Sequence, residues 1–220
     1  VYKRQPYGPA VHAAYLEHYV ALAASVGRPP ETERDYRPLV AKETELLAVA
    51  EALHAAGDWV GLQRLYPALT GYLWHTGNYT AYARVDRWCL AAAEGLGDEE
   101  WTVKILSELG YFQKEQGEWE EAEALFRRCQ ALYDATPEAL IGRARLRRYR
   151  AEVALGMGRG DEALTLLTEA EELLARAAGN PPADLPLATM LLHSARMTAH
   201  HRRGELEEAE ACLLYKSPSP

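Results

Sequence analysis

The sequence predicts an all-α chain in which antiparallel helix pairs stack in a row as a solenoid. Three observations carry that reading. Glycine-marked turns recur at Gly77-Asn78-Tyr79, Gly117-Glu118-Trp119, Gly158-Arg159-Gly160 and Gly204-Glu205-Leu206, with 40, 41 and 46 residues between successive glycines. Between the turns, apolar residues follow the helical period rather than the alternation of a strand. Ala, Leu, Glu and Arg, which helices prefer, dominate the chain, and it holds only 2 phenylalanines.

Taken in order, helices are expected near 10–26, 37–56, 59–76, 79–95, 100–116, 119–134, 138–157, 160–178, 185–203 and from 206 onward. Residues 6–56 then form helices leading into the repeats. Residues 57–211 form the repeats themselves, at about 59–96, 100–134, 138–178 and 185–211. Each pair leaves an apolar face that only its neighbour can cover, so stability comes from stacking. The loop Gly179-Asn180-Pro181-Pro182 accounts for the longest spacing.

The clearest unit is Leu106-Ser-Glu-Leu109-Gly110-Tyr111-Phe112, followed by Gly117-Glu118-Trp119-Glu120-Glu121-Ala122, Phe126 and Cys129. Leu106 and Leu109 trace the core face of a first helix, and Gly110 admits the second helix closely. Gly117 ends the first helix in the left-handed conformation, which costs other residues about 1 kcal/mol. Ala122 stands at the helix crossing and Phe126 is expected to bury against the next pair. Tyr79, Ala163 and Ala209 fill the aromatic and alanine slots of the other units, and Cys89 stands 40 residues before Cys129 in the same small-residue slot.

Composition narrows the function. A net charge of −8 argues against nucleic acid as the main partner, since phosphate contacts need a basic face. The longest apolar run, Leu46 to Ala50, is far short of the roughly 20 residues of a membrane span. Three widely spaced cysteines make neither a disulfide framework nor a zinc site. With no signal peptide ahead of the first helix, a cytoplasmic location is expected.

Both ends are expected to be translated sequencing adapter. Val1-Tyr-Lys-Arg-Gln5 is the reading of GTG TAT AAG AGA CAG, and Cys212-Leu-Leu-Tyr-Lys-Ser217 is that of the opposite strand with one base changed. Residues 1–5 and 212–220 are therefore set aside, and the remainder is expected to be a fragment of a longer protein.

The unit around Gly110 and Gly117 resembles the tetratricopeptide consensus, with Gln113 where tyrosine is usual. The resemblance implies a right-handed α-α superhelix whose inner groove binds protein or peptide segments. The first third adds a second resemblance. His12-Ala-Ala-Tyr15, the acidic helix Glu43-Thr-Glu45-Leu-Leu47, the turn Gly57-Asp58-Trp59 and the later Gly97-Asp98 look like the start of the repeat region in signalling ATPases of the STAND and NB-ARC type. Leu46-Leu47 replaces the usual Asn-Leu. This resemblance implies that the repeats are the sensor of a bacterial ATPase or transcription regulator, and that the missing ATPase domain is itself a partner.

No chemistry-bearing motif competes. There is no phosphate-binding loop, Gly-x-Ser-x-Gly, His-Glu-x-x-His or Cys-x-x-Cys, so no catalytic residue, metal or cofactor is expected. His193, His200 and His201 read as a solvated helix surface, and Cys89 and Cys129 as core thiols. Glu118, Glu120, Glu121, Glu205, Glu207 and Glu208 stand at helix starts, where carboxylates favour the positive end of the dipole.

One stretch is strongly basic: Arg143-Ala-Arg145-Leu-Arg147-Arg148-Tyr149-Arg150. By the tetratricopeptide resemblance, Arg145, Arg148 and Glu152 face the groove. Lys104, Ser107, Tyr111 and Lys114 take the matching slots one repeat earlier, and Arg64, Gly71 and Trp74 one before that. Such a groove suits an acidic peptide or a phosphorylated ligand. The competing reading is that the arginines pair with nearby glutamates on a solvated face. The expected function is a non-catalytic protein- or ligand-binding sensor segment, with a free-standing scaffold as the alternative.

Overall fold

A computed structural model describes residues 9–28 and 33–213. The expected adapter segment 1–5, Pro29 and Pro30, and residues 214–220 lie outside the described residues. The chain divides into two compact units, Val1–Ile105 and Leu106–Pro220. Among the described residues there are helices and no strand.

Unit 1 contains α1 (Pro9–Gly27), α2 (Arg37–Val40), α3 (Glu43–Ala56), α4 (Trp59–Thr76) and α5 (Tyr79–Leu96). It ends within α6 (Glu99–Gln116). Its helices from α3 onward are ended and restarted by one repeated device. Gly57, Gly77 and Gly97 cap α3, α4 and α5 with φ of 70°, 74° and 65°. The next residue then opens the following helix. Asp58 accepts from the Gly61 amide at 2.9 Å, Asn78 from Ala81 at 3.2 Å and Asp98 from Trp101 at 2.9 Å. Each such cap is worth about 0.5–2 kcal/mol. α4 is the centre of this unit and packs on α1, α3 and α5, with Leu62, Leu65, Tyr66, Leu69 and Leu73 almost wholly buried.

The single helix expected over 37–56 is two helices. Lys42 leaves the helical conformation (φ −126°). The acidic pair Glu43 and Glu45 then starts α3 where the helix dipole favours negative charge. Glu43 is also tied down from α4 and α5, accepting from the Tyr72 hydroxyl at 2.8 Å and the Asn78 side chain at 2.7 Å.

Unit 2 holds the rest of α6, then α7 (Trp119–Asp134), α8 (Leu140–Gly156), α9 (Gly160–Ala177), α10 (Leu185–Arg203) and α11 (Leu206–Leu213). α6 and α7 meet at Gly110: a Cβ there would lie 2.5 Å from the Phe126 ring, which is fully buried. Phe126 stacks on Tyr149 of α8 at 5.5 Å between centroids. Beyond α7 the core becomes alanine- and leucine-rich, with Ala151, Ala163, Leu167 and Ala199 fully buried among α8, α9 and α10.

Candidate functional site

α8 carries six arginines from 143 to 159 on one helix and its C-terminal turn, and most are tied to carboxylates or carbonyls. Arg147 pairs with Glu169 at 2.6 Å, and Arg150 with Glu123 at 2.7 Å, where both side chains are nearly buried. Arg127 joins Glu123 from the same helix at 2.9 Å. Burial raises the Glu123 carboxyl, but Arg150 and Arg127 outweigh it and hold the group below its ordinary value. Arg143 donates to the Pro137 carbonyl at 3.1 Å. These arginines join α8 to α7 and α9, and the Arg150–Glu123 pair is nearly buried rather than on the solvated face of the competing reading.

The residues expected in the groove divide between the units. In unit 2 the structure brings Tyr111, Lys114, Arg148 and Glu152 together. Glu152 accepts from Lys114 at 2.8 Å and also pairs with Arg148. Lys114 lies 4.4 Å over the Tyr111 ring and Arg148 lies 4.5 Å over Tyr149, while the two tyrosine rings are 5.3 Å apart. Burial alone would lower the Lys114 ammonium, yet Glu152 and Glu115 raise it above its ordinary value. Ser107 faces the hairpin interior, 3.2 Å from the Cys129 sulfur. Arg145 is exposed and bonds the Tyr133 hydroxyl, whose own value is pushed up by burial against the pull of Arg145. Gly142 makes room for that hydroxyl, which a Cβ would strike.

In unit 1 the expected residues stand apart in different contacts. Arg64 is exposed in a two-pronged pair with Glu17 at 2.8 and 3.0 Å. Lys104 lies 5.4 Å over the Tyr66 ring. Trp74 meets Tyr79 and Tyr82 edge-on, both at 5.4 Å, and Gly71 leaves space for the Tyr36 hydroxyl.

A cavity of about 230 Å³ opens between α8 and α10. Arg145, Arg148, Tyr149 and Ile141 line it from α8, and Leu187, Leu191 and Leu192 from α10 with Asp184 at that helix's start. Sequence reasoning missed the α10 wall. Its signal was Leu187, Met190 and Leu191 at helical spacing on a face other than that of the buried Leu192, Ala195 and Ala199. All three are exposed.

The histidines differ from the expectation of a solvated surface. His200 is partly buried and lies 2.7 Å from Glu205, and His193 is partly buried with its ring held below the ordinary value by desolvation. Only His201 of the three is exposed, because the α10 face that bears 193 and 200 turns toward α9 and the last helix junction. Cys89 and Cys129 are buried. Among the described residues no three metal-ligating side chains converge, and no helix is long and apolar enough to cross a membrane.

Comparison with known proteins bears on the fold. A tetratricopeptide repeat family model matches residues 105–128 and 190–214. Crystal structures of nearly identical TPR-like repeats of a kinesin light chain type from Podosopora anserina are similar in fold. A point variant is 16% identical, with a TM-score of 0.57 and 92% of each chain covered. The parent is 17% identical, with a TM-score of 0.52, covering 94% of this chain and 99% of that one. No curated protein matches the sequence. The described residues thus have the all-helical fold of the TPR-like solenoid class, and two stretches of the chain match the tetratricopeptide repeat model.

Proposed function

We propose that the chain is a non-catalytic binding solenoid that captures an acidic protein or peptide segment on the α8–α10 face of unit 2. The observation that carries this reading is the open cavity bordered by Arg145 and Arg148. It combines apolar wall and cation, the pair of features by which a groove recognises an acidic segment. Replacing both residues by Glu and titrating a pool of acidic peptides tests it. Binding in the parent chain should be lost in the variant, and unchanged affinity for every binder removes the reading while leaving the fold intact.

In the cell the segment acts as the sensor or regulatory part of a larger cytoplasmic signalling ATPase or transcription regulator. The order of motifs from His12 to Gly97-Asp98 supports that context. Sequencing the gene past both ends tests it, because an upstream phosphate-binding loop is required. The second reading is a fixed scaffold joining two proteins. It is favoured by the ion pairs Arg150–Glu123 and Arg147–Glu169, which tie α7, α8 and α9 together without an evident element that switches.

A further inference from the structure

We infer that the exposed face of α5, in unit 1, clamps one phosphorylated side chain of a partner protein between Arg84 and Arg87, with Trp88 holding Arg84 in place. The inference is independent of the α8–α10 reading, because it concerns the other unit and the second helix of a pair. It supplies the second docking surface that a scaffold joining two proteins requires.

Geometry comes first. α5 buries Tyr82, Val85, Cys89 and Ala92, while Arg84 and Arg87 are exposed on its other side. Residues three apart on a helix are neighbours, with Cβ atoms about 5–6 Å apart. The Arg84 guanidinium lies over the Trp88 ring, 5.2 Å from its centroid. Trp88 is itself held: His54 of α3 stacks on it at 5.5 Å with the planes 21° apart, and Trp59 at the start of α4 lies 5.9 Å from His54. Gly95 admits the Trp59 ring, since a Cβ there would lie 2.6 Å from its Nε1. Stacking occupies the flat side of a guanidinium and leaves its N–H groups, which lie in the plane, able to donate. A cation ordered in advance loses less entropy when an anion binds.

Charge then fixes the ligand. In unit 2, Arg127, Arg148 and Arg159 each pair with a carboxylate three or four residues away. No Asp or Glu stands three or four residues from Arg84 or Arg87, and Asp86, between them in sequence, is fully buried. The exposed carboxylate of α5 is Glu94, seven residues beyond Arg87 and about 10 Å along the axis. Glu51 of α3, one turn before His54, is exposed too, and among the described residues it makes no ion pair with Arg84. Both arginines lie mid-helix, away from the C-terminal dipole, and like charges one turn apart repel. An anion seated between them relieves that repulsion. A phosphate monoester, with a charge of about −1.5 to −2 and three acceptor oxygens, matches two guanidiniums better than a carboxylate does. Anionic membranes are gripped by clusters of about 4–8 cations, and nucleic acid by a longer basic track. Two arginines fit a single phosphoryl group.

The test uses the full chain and three labelled dodecapeptides of Gly and Ala in fluorescence anisotropy, with a central phosphoserine, glutamate or serine. The phosphoserine peptide should bind about tenfold or more tightly than the glutamate peptide, and the serine peptide not at all. Arg84→Gln with Arg87→Gln, both on the exposed face, should abolish binding at an unchanged melting temperature. Arg84→Lys should weaken it severalfold, because a point charge makes no two-pronged contact. Trp88→Leu keeps both charges and should weaken it similarly; if that variant does not fold, Arg84→Lys carries this arm. Arg145→Glu with Arg148→Glu, in unit 2, should leave phosphopeptide binding intact. If the phosphoserine and serine peptides bind equally, or neither binds, the inference is overturned while the acidic-segment reading of unit 2 stands. Loss of binding in the unit 2 variant, with retention in the α5 variant, overturns the placement. If inorganic phosphate competes at the concentration of the peptide itself, the ligand is a free phosphate and the partner protein is wrong. Binding to phosphatidylcholine vesicles containing phosphatidylinositol phosphates, without binding to the peptide, overturns it in favour of a membrane. If Arg84→Lys and a folded Trp88→Leu bind as the parent does, Trp88 has no positioning role.

Discussion

Between Gly57 and Gly117 the helices join through turns of one form, at glycines 20 residues apart, whereas the junctions after Asp134 are of several kinds. Ala135 and Ala178 close α7 and α9 in the right-handed conformation, and Met157 separates α8 from Gly158. Gly158 and Gly204, with φ of 75° and 77°, return to the earlier form. The contrast shows what a departure from a repeat does to the packing. Identical turns fix helix length, so in α4 the leucines fall into a closed core. In unit 2 the connection from Ala178 to Asp184 is longer, and it brings Asp184, Leu187 and Leu191 to the open cavity beside α8. The means of cohesion differ too. Unit 1 relies on side-chain caps and leucine burial, while α7 and α8 are joined through a nearly buried carboxylate and guanidinium.

Removing one partner of that pair should give the largest loss. Glu123→Ala leaves Arg150 uncompensated and should cost about 3–5 kcal/mol, seen as faster hydrogen exchange in α7 and α8. Replacing both residues by apolar ones should recover most of it. In unit 1 the equivalent injury is a cavity: Leu65→Ala should cost about 2–5 kcal/mol, with exchange rising in α4 and α5. Gly110→Ala drives a methyl into the Phe126 ring and should cost about 1–3 kcal/mol in a denaturant titration. The caps follow. Asp58→Ala should cost about 0.5–2 kcal/mol, whereas Glu118→Ala, at a helix start with no side-chain cap bond, should cost much less.

The smallest effect is that of pH. Because Glu123 is held below its ordinary value, the stability it contributes is present above the unfolded value near about 4.3 and is lost as pH falls through the lower folded value. Acid should therefore loosen α7 and α8 before α4 and α5, and Glu123→Gln should remove that difference.

The sequence disclosed what is local. A positive-φ glycine followed by Asp, Asn or Glu is a property of two adjacent residues, so the turns at Gly77, Gly117 and Gly204 were readable, and with them the helix pairs. The break at Lys42 was not, since Tyr72 and Asn78, which hold Glu43, come from two later helices. In α8 the arginines were visible but not their partners, which lie 27 residues earlier at Glu123 and 22 later at Glu169. The cavity needed α10, whose Leu187 stands 42 residues from Arg145 in the sequence. Nothing in the spacing of α8 alone indicates that an apolar wall faces it.

The most direct measurement is hydrogen exchange of the full chain with and without an acidic peptide that binds it, resolved by helix. Added protection confined to α8 and α10, absent in Arg145→Glu, is the predicted result. Protection centred on α4 and α5, or unaltered by that substitution, would contradict the assignment of the binding face to unit 2.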